Sequence, residues 1–91
     1  MKELKKLALI LRNLGISAFV DVSDKENIFL CVESGKVAFH IWKYGKDSDF
    51  MPDYYEVHYY FNNDLVTDQI YSKTLKGVVK DILNIYYKPF E

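Results

Sequence analysis

The chain has 91 residues, enough for one hydrophobic core but not for two, so a single α+β domain over residues 1–91 is expected. Hydrophobic residues make up 49% and charged residues 27%, which excludes disorder, collagen-like repeats and an extended coiled coil. The 12 Lys and Arg and 13 Asp and Glu give a net charge of -1, which excludes a strongly basic nucleic-acid binder or a polyanionic mimic as a description of the whole molecule.

The only cysteine, Cys31, has no partner for an internal disulfide, and the first residues lack the pattern of a secretory signal. These features predict a cytoplasmic protein. No apolar run approaches the roughly 18 to 20 residues that cross a bilayer, so no membrane is expected as a partner. Lysine strongly outnumbers arginine, and Phe, Tyr, Ile and Asn are abundant. This bias is typical of AT-rich codons and favours a low-GC bacterium or its phage as the source.

Residues 1–14 have the apolar spacing of a helix. Gly15 is expected to end this helix, because a left-handed conformation after the last turn costs glycine least. From Ile16 to Val22 the apolar period changes to two, which predicts a strand. The apolar stripe of the helix repeats at intervals of three and four residues and comprises Leu4, Leu7, Ala8, Leu11 and Leu14.

Two more strands are predicted in the middle of the chain. Residues 28–33 alternate between the two faces of a sheet after a polar turn, and residues 37–42 do the same. Ser34 and Gly35 between them are the kind of two-residue turn that closes a hairpin. Residues 44–53 are expected to form a loop, because they contain glycine, proline and several aspartates.

In the last third of the chain, the sequence pattern predicts two strands and a helix. Residues 54–61 are rich in aromatics and indicate a fourth strand, and residues 65–71 indicate a weaker fifth strand at the sheet edge. Ser72 or Thr74 is expected to cap the helix, and Pro89 to end it. The apolar face of this helix comprises Leu75, Val78, Val79, Ile82, Leu83 and Tyr86.

This order of elements predicts a two-layer α+β sandwich. We expect an antiparallel meander of four to five strands with the N- and C-terminal helices packed on one face, because each helix has a single apolar stripe to bury. The aliphatic side of the strands then becomes the inner face. Its predicted core residues are Ile16, Val20, Ile28, Leu30, Val32, Val37, Phe39, Ile41, Val57, Tyr59, Phe61, Val66 and Ile70.

The opposite side of the strands, the outer face, is left with no segment to cover it. Each aromatic ring brings about 150 to 250 Å² of surface, so a cluster would exceed the apolar patch that a monomer normally exposes. The alternative is that these rings are present as good strand formers, or that one helix lies on this face. The outer face is predicted to hold Phe19, Asp21, Phe29, Cys31, Glu33, His40, Trp42, Tyr44, Tyr54, Glu56, His58, Tyr60, Gln69 and Tyr71.

This aromatic surface predicts a small non-catalytic protein-binding module or inhibitor, because aromatic residues are enriched at interface hot spots. The acids between Asp47 and Asp68 suggest a surface that imitates phosphate and occupies the basic groove of a nucleic-acid enzyme, although acids in turns are more often simply hydrated. A small, motif-free chain with AT-rich codon bias is compatible with a phage or mobile-element inhibitor of such a host enzyme. Two alternatives stay open: a domain that binds nucleic acid through the sheet aromatics, and a homodimer formed through the outer face. The residues expected to contact a protein partner are Trp42, Tyr44, Tyr54, Glu56, Tyr60 and Tyr71.

No motif predicts catalysis, a cofactor or a metal. His40 and His58 should lie opposite or diagonal on neighbouring strands, but nothing in their spacing defines a zinc site with Glu56 or Cys31. Cys31 in an apolar strand is better explained by packing than by a role as nucleophile. The isolated glycines make no phosphate-binding loop, and the sequence pattern of an RRM is absent. We therefore expect no enzyme, and nucleic acid is the less favoured partner.

Overall fold

The computed structural model describes residues 2–45 and 53–87. Its elements, in chain order, are α1 (Lys2–Asn13), β1 (Ala18–Asp21), β2 (Phe29–Ser34), β3 (Val37–Tyr44), β4 (Tyr54–Phe61), β5 (Asp64–Ser72) and α2 (Leu75–Tyr87). The strands form one antiparallel sheet in the order β1-β2-β3-β4-β5, which is the predicted α+β meander. Most of the predicted loop, including Asp47, and the expected helix end at Pro89 lie outside the described residues.

Helix α1 ends in a Schellman motif, as the glycine after it suggests. Gly15 has a φ of 84°, its N–H donates to the Arg12 carbonyl, and the Ile16 N–H reaches back to the Leu11 carbonyl at 3.0 Å. Because the helix ends at Asn13, the predicted stripe residue Leu14 leaves the buried face and is exposed.

Both helices pack against the inner face of the sheet. Helix α1 contacts β1, β2 and β3, α2 contacts β4 and β5, and the two helices touch each other. Tyr86 of α2 also exchanges a hydrogen bond of 2.9 Å with Ser34 at the end of β2. The fully buried core between the layers includes Leu7, Leu11, Leu30, Phe39, Ile41, Val57, Val78 and Ile82.

Val66 is the one predicted core residue that the structure places outside the core. Tyr60 pairs with Leu65 and Tyr59 pairs with Thr67, so β5 has one additional residue at this point. A second shift follows between Tyr59 and Val57. An inserted residue breaks the strict alternation of faces, and Val66 is therefore 43% exposed.

Tight turns join β2 to β3 and β4 to β5. Ser34 pairs with Val37, so the central residues of the first turn are Gly35 and Lys36, one position later than predicted. Asn62 and Asn63 both have positive φ, 52° and 69°, as a type I′ hairpin turn requires. Such turns match the right-handed twist of the strands that they join.

Helix α2 begins at a threonine cap. The Thr74 hydroxyl accepts a hydrogen bond of 2.9 Å from the Gly77 N–H, which selects Thr74 from the two predicted cap residues. A Cβ at Gly77 would collide with the Ser72 hydroxyl, so the glycine permits this close approach. Of the helices in the described part of the chain, none is long and apolar enough to cross a membrane.

Candidate protein-binding surface

The strand register brings one residue from every strand into a row across the outer face. Asp21 pairs with Phe29, the Phe29 ring lies 5.3 Å from that of Trp42, Trp42 pairs with Glu56, and Glu56 pairs with Tyr71. We call these five residues the central row. It carries three aromatic side chains and two carboxylates. Other side chains of the outer face lie on both sides of the row, along the strands.

Aromatic contacts extend the central row in both directions along the strands. His40 lies 4.9 Å from Phe29 and 4.9 Å from Tyr60, measured between ring centroids, and Trp42 lies 4.5 Å from His58. The outer face therefore has a connected set of rings that spans β2, β3 and β4.

A second group of rings occupies the end of the sheet beside Glu56. The Tyr44 and Tyr54 centroids are 5.2 Å apart, and Tyr54 meets Tyr71 edge to face at 6.0 Å. We call these three residues the tyrosine end. Partial burial raises the pKa of Tyr44, and the negative charge of Glu56 raises it further.

The rings of the outer face are less exposed than the sequence suggests. Only Phe19, Tyr44 and Tyr71 expose more than a third of their surface, and the other rings cover one another. Trp42 is also held by a hydrogen bond of 2.8 Å from its indole N–H to the Asn27 side-chain oxygen. Both described helices lie on the other side of the sheet, so neither of them covers the rings of the outer face.

The two histidines are paired as the sequence predicts. His40 is directly opposite His58, and the Glu56 carboxylate accepts a hydrogen bond of 2.9 Å from His58 Nε2. Burial lowers the pKa of His40, and the neighbouring His58 lowers it further, whereas Glu33 and Asp21 oppose the shift. No group of three or more His, Cys, Asp or Glu is placed to hold a metal ion in the portion that the structure describes.

Cys31 is buried although it belongs to the outer face. It pairs with Phe19 on one side and His40 on the other, and only 6% of its surface is exposed. Burial raises the pKa of the thiol to about 11, and the carboxylate of Glu33 contributes to the shift. The thiolate, which is the nucleophilic form, is therefore scarce at neutral pH.

The outer face is acidic. Asp21, Glu33 and Glu56 lie on it, whereas the strands contain a single Lys or Arg among the described residues, Lys43. Lys43 belongs to the inner side, where its ammonium lies 5.5 Å from the ring centroid of the buried Tyr55. The charges on the outer face are therefore not neutralised by lysine or arginine from neighbouring strand positions.

Of the six residues predicted to contact a partner, five cluster at one end of the sheet. Trp42, Glu56 and Tyr71 lie in the central row, and Tyr44 and Tyr54 lie next to it. Tyr60 is separated from them and connects to Trp42 only through His40. The prediction omitted Asn27, Phe29, His40 and His58 from the contact set, although the period-two pattern had placed the last three on this face.

Comparisons of this chain with protein-family models, with curated proteins and with solved structures gave no match.

Proposed function

We propose that this protein is a non-catalytic binding module that presents the outer face of its sheet to a protein partner. Two neighbouring groups of rings, one that includes Phe29 and Trp42 and the other the tyrosine end, are covered by neither helix, and this observation carries the proposal. A few hot-spot residues supply most of the binding energy at protein interfaces, and tryptophan and tyrosine are enriched among them.

Several side chains of the outer face are already held in place by their neighbours, and this supports the same role. The hydrogen bond between Trp42 and Asn27 holds the indole before a partner arrives, and ring contacts restrict His58 and Tyr54. Binding then loses less side-chain entropy than it would if free rings had to be immobilised. The burial of Cys31 and its raised pKa also favour binding over nucleophilic chemistry.

The charge of the face favours a basic partner, and a nucleic-acid enzyme whose groove attracts phosphate is one such class. Direct binding of nucleic acid would bring phosphates against Asp21, Glu33 and Glu56. A symmetric homodimer through the same face would bring the carboxylates of both copies into one interface, with no lysine or arginine from the described outer-face strand positions to pair with them. Like charges across an interface are unfavourable, so both alternatives are weaker than a basic protein partner.

The proposal is tested by affinity purification from a lysate of the organism that encodes the protein, in which the proteins bound by wild type and by variants are compared. Wild type, Trp42→Ala/Tyr54→Ala and Tyr71→Ala are used as baits, and bound proteins are quantified by mass spectrometry. Tyr87→Ala is the matched control, because Tyr87 is 64% exposed and Tyr71 56%, but Tyr87 lies on α2. We expect one protein to be retained by wild type and the control and lost with both outer-face variants.

The partner found in this way is then titrated calorimetrically with each purified variant. Removal of an interface hot spot costs about 2 kcal/mol or more, so the affinity should fall at least about 30-fold. Circular dichroism establishes that the variants are folded. Equal affinities for wild type and the Tyr71→Ala and Trp42→Ala/Tyr54→Ala variants would reject the outer face as the binding surface.

A further inference from the structure

We propose that Glu56 and the tyrosine end form a seat for an arginine side chain of the partner protein. This inference rests on the proposed function and specifies the chemistry that the surface recognises. The seat comprises Glu56, Tyr44, Tyr54 and Tyr71.

The geometry provides a carboxylate bordered by aromatic rings. Glu56 lies between Trp42 and Tyr71 on the neighbouring strands, and Tyr54 precedes it by two residues on the same face of β4. Its side chain is 21% exposed and binds His58 through one oxygen. Within the described ranges the other oxygen accepts no hydrogen bond.

The rings around this carboxylate favour a cation. The face of a tyrosine or tryptophan ring attracts a cation, and the attraction increases when water is partly excluded. Tyr44 and Tyr54 are partly shielded by each other, and burial, together with the negative charge of Glu56, raises the pKa of Tyr44. Carboxylate and rings therefore act on the same small region of the surface.

No cation of the sheet occupies the seat. Lys43, the one lysine on the described strands, lies on the inner side with Tyr55 and forms an ion pair of 3.8 Å with Asp53. No lysine or arginine of the described strands therefore neutralises Glu56, which is bonded to the His58 ring, and a positive partner group would complement the carboxylate.

Arginine fits this arrangement better than lysine. Its planar guanidinium stacks on aromatic rings while donating hydrogen bonds in its own plane, whereas an ammonium is a compact and strongly hydrated charge. A guanidinium lying over the tyrosine end could donate to the open oxygen of Glu56 without breaking the bond to His58. The outer face of a second copy and a nucleic acid both lack this complementarity, because each presents negative charge to the seat.

The test is an NMR titration of the folded, ¹⁵N-labelled protein with three short peptides of one length. The first contains two arginines separated by glycine, the second has lysine in their place, and the third has citrulline, which keeps the shape of arginine without its charge. We expect the arginine peptide to shift the amide signals of Tyr44, Tyr54, Glu56 and Tyr71. The lysine peptide should bind more weakly, and the citrulline peptide at least about fivefold more weakly than the arginine peptide.

Two glutamate variants provide a matched comparison. Glu56→Gln should weaken binding of the arginine peptide about fivefold or more, because it removes the charge within the ring cluster. Glu33→Gln should leave it nearly unchanged, because Glu33 lies on the same face opposite Ala38, which has no ring. Thermal melts of both variants establish that a loss of binding does not come from unfolding.

Several results would overturn the inference. Equal binding of arginine and citrulline peptides, equal loss in both glutamate variants, or binding of lysine as tight as that of arginine would each contradict a guanidinium seat. Absence of any shift by the arginine peptide at millimolar concentration would contradict it as well. Those results would leave the protein-binding face intact if the Trp42→Ala/Tyr54→Ala bait still loses its partner. Retention of the partner by that bait would instead reject the proposed function.

Discussion

Tyr59 and Tyr86 both reach the space between the helices and the sheet, but their hydroxyl groups have different surroundings. Tyr86 shares a hydrogen bond of 2.9 Å with Ser34. Tyr59 is 4% exposed, its ring stacks on Phe39, and its hydroxyl has no hydrogen-bond partner in the described part of the chain. A buried polar group without a partner has lost its hydration and gained nothing in return, so it destabilises the fold.

This difference predicts opposite effects for the same substitution. Tyr59→Phe should increase the free energy of unfolding by about 1 kcal/mol, because it removes an unsatisfied hydroxyl and keeps the ring. Tyr86→Phe should lower it by about 0.5 to 1.5 kcal/mol, because it removes a hydrogen bond. Urea denaturation measures both. A loss of stability in Tyr59→Phe as large as that in Tyr86→Phe would show that the Tyr59 hydroxyl is satisfied in solution.

The sequence predicts on which face of the sheet a side chain lies, but not how much of that side chain is exposed to solvent. The period-two pattern correctly assigns Cys31 and Trp42 to this face. It contains no information on how far neighbouring rings cover them, because that depends on cross-strand rotamers. The bond between Asn27 and Trp42 joins residues 15 positions apart through a turn, and no local pattern predicts such a pairing.

At the scale of elements, the hairpin between β4 and β5 depends on two asparagines in a left-handed conformation. Asparagine tolerates positive φ better than most residues, but glycine adopts it without steric cost. The second central position of a type I′ turn favours glycine most strongly. The turn at Asn63 is therefore stable but not optimal.

We expect Asn63→Gly to increase the free energy of unfolding by about 0.5 kcal/mol, because the residue has a φ of 69°. Asn13→Gly is the matched control. Asn13 is the last residue of α1, and glycine has a lower helix propensity than asparagine. The same substitution should therefore lower the free energy of unfolding there by up to about 0.5 kcal/mol. Chemical denaturation of both variants checks the prediction. Destabilisation of equal size in the two would show that turn geometry does not limit stability.

The two helices and five strands could be predicted from periodicity because each buries one regular face. The exceptions arise where regularity ends. Leu14 follows the last helical residue, and Val66 lies at a register shift whose position depends on how β5 pairs with β4. Pairing is a property of two strands, so a pattern within one strand cannot locate the inserted residue.

The charge state of His40 connects the stability of the whole fold to pH. Burial is the main reason why its pKa lies below the ordinary value of 6.5, and His58 adds to the shift. An unfolded chain has His40 near its ordinary pKa and therefore binds more protons in mildly acidic solution. Stability should consequently decrease as the pH falls below about 6.5 toward the folded pKa.

His40→Gln removes this titration and should reduce the stability lost between pH 7.5 and pH 5.5. Urea midpoints of wild type and variant at the two pH values measure the difference. The ring signals of His40 in a pH titration by NMR give its pKa in the folded protein directly. Identical pH dependence in both proteins, or a His40 pKa at or above 6.5, would contradict the prediction.

The candidate site could be anticipated in part at this scale. The acids and aromatics of the outer face follow from strand alternation alone, once both helices are assigned to the other side. The cluster of Glu56 with Tyr44, Tyr54 and Tyr71 could not be anticipated from the sequence, because it depends on the register between β3 and β4 and between β4 and β5. The sequence therefore predicts the composition of the surface, and the register determines which of its groups act together.

The meander order of the strands also has a kinetic consequence. Every strand pairs with the one that precedes it in the chain, so each hairpin requires closure of only a short loop. The contact that joins the most distant segments is the one between α1 and α2. The entropic cost of bringing remote segments together is therefore concentrated in the docking of the helices, and the sheet can be assembled hairpin by hairpin before that step.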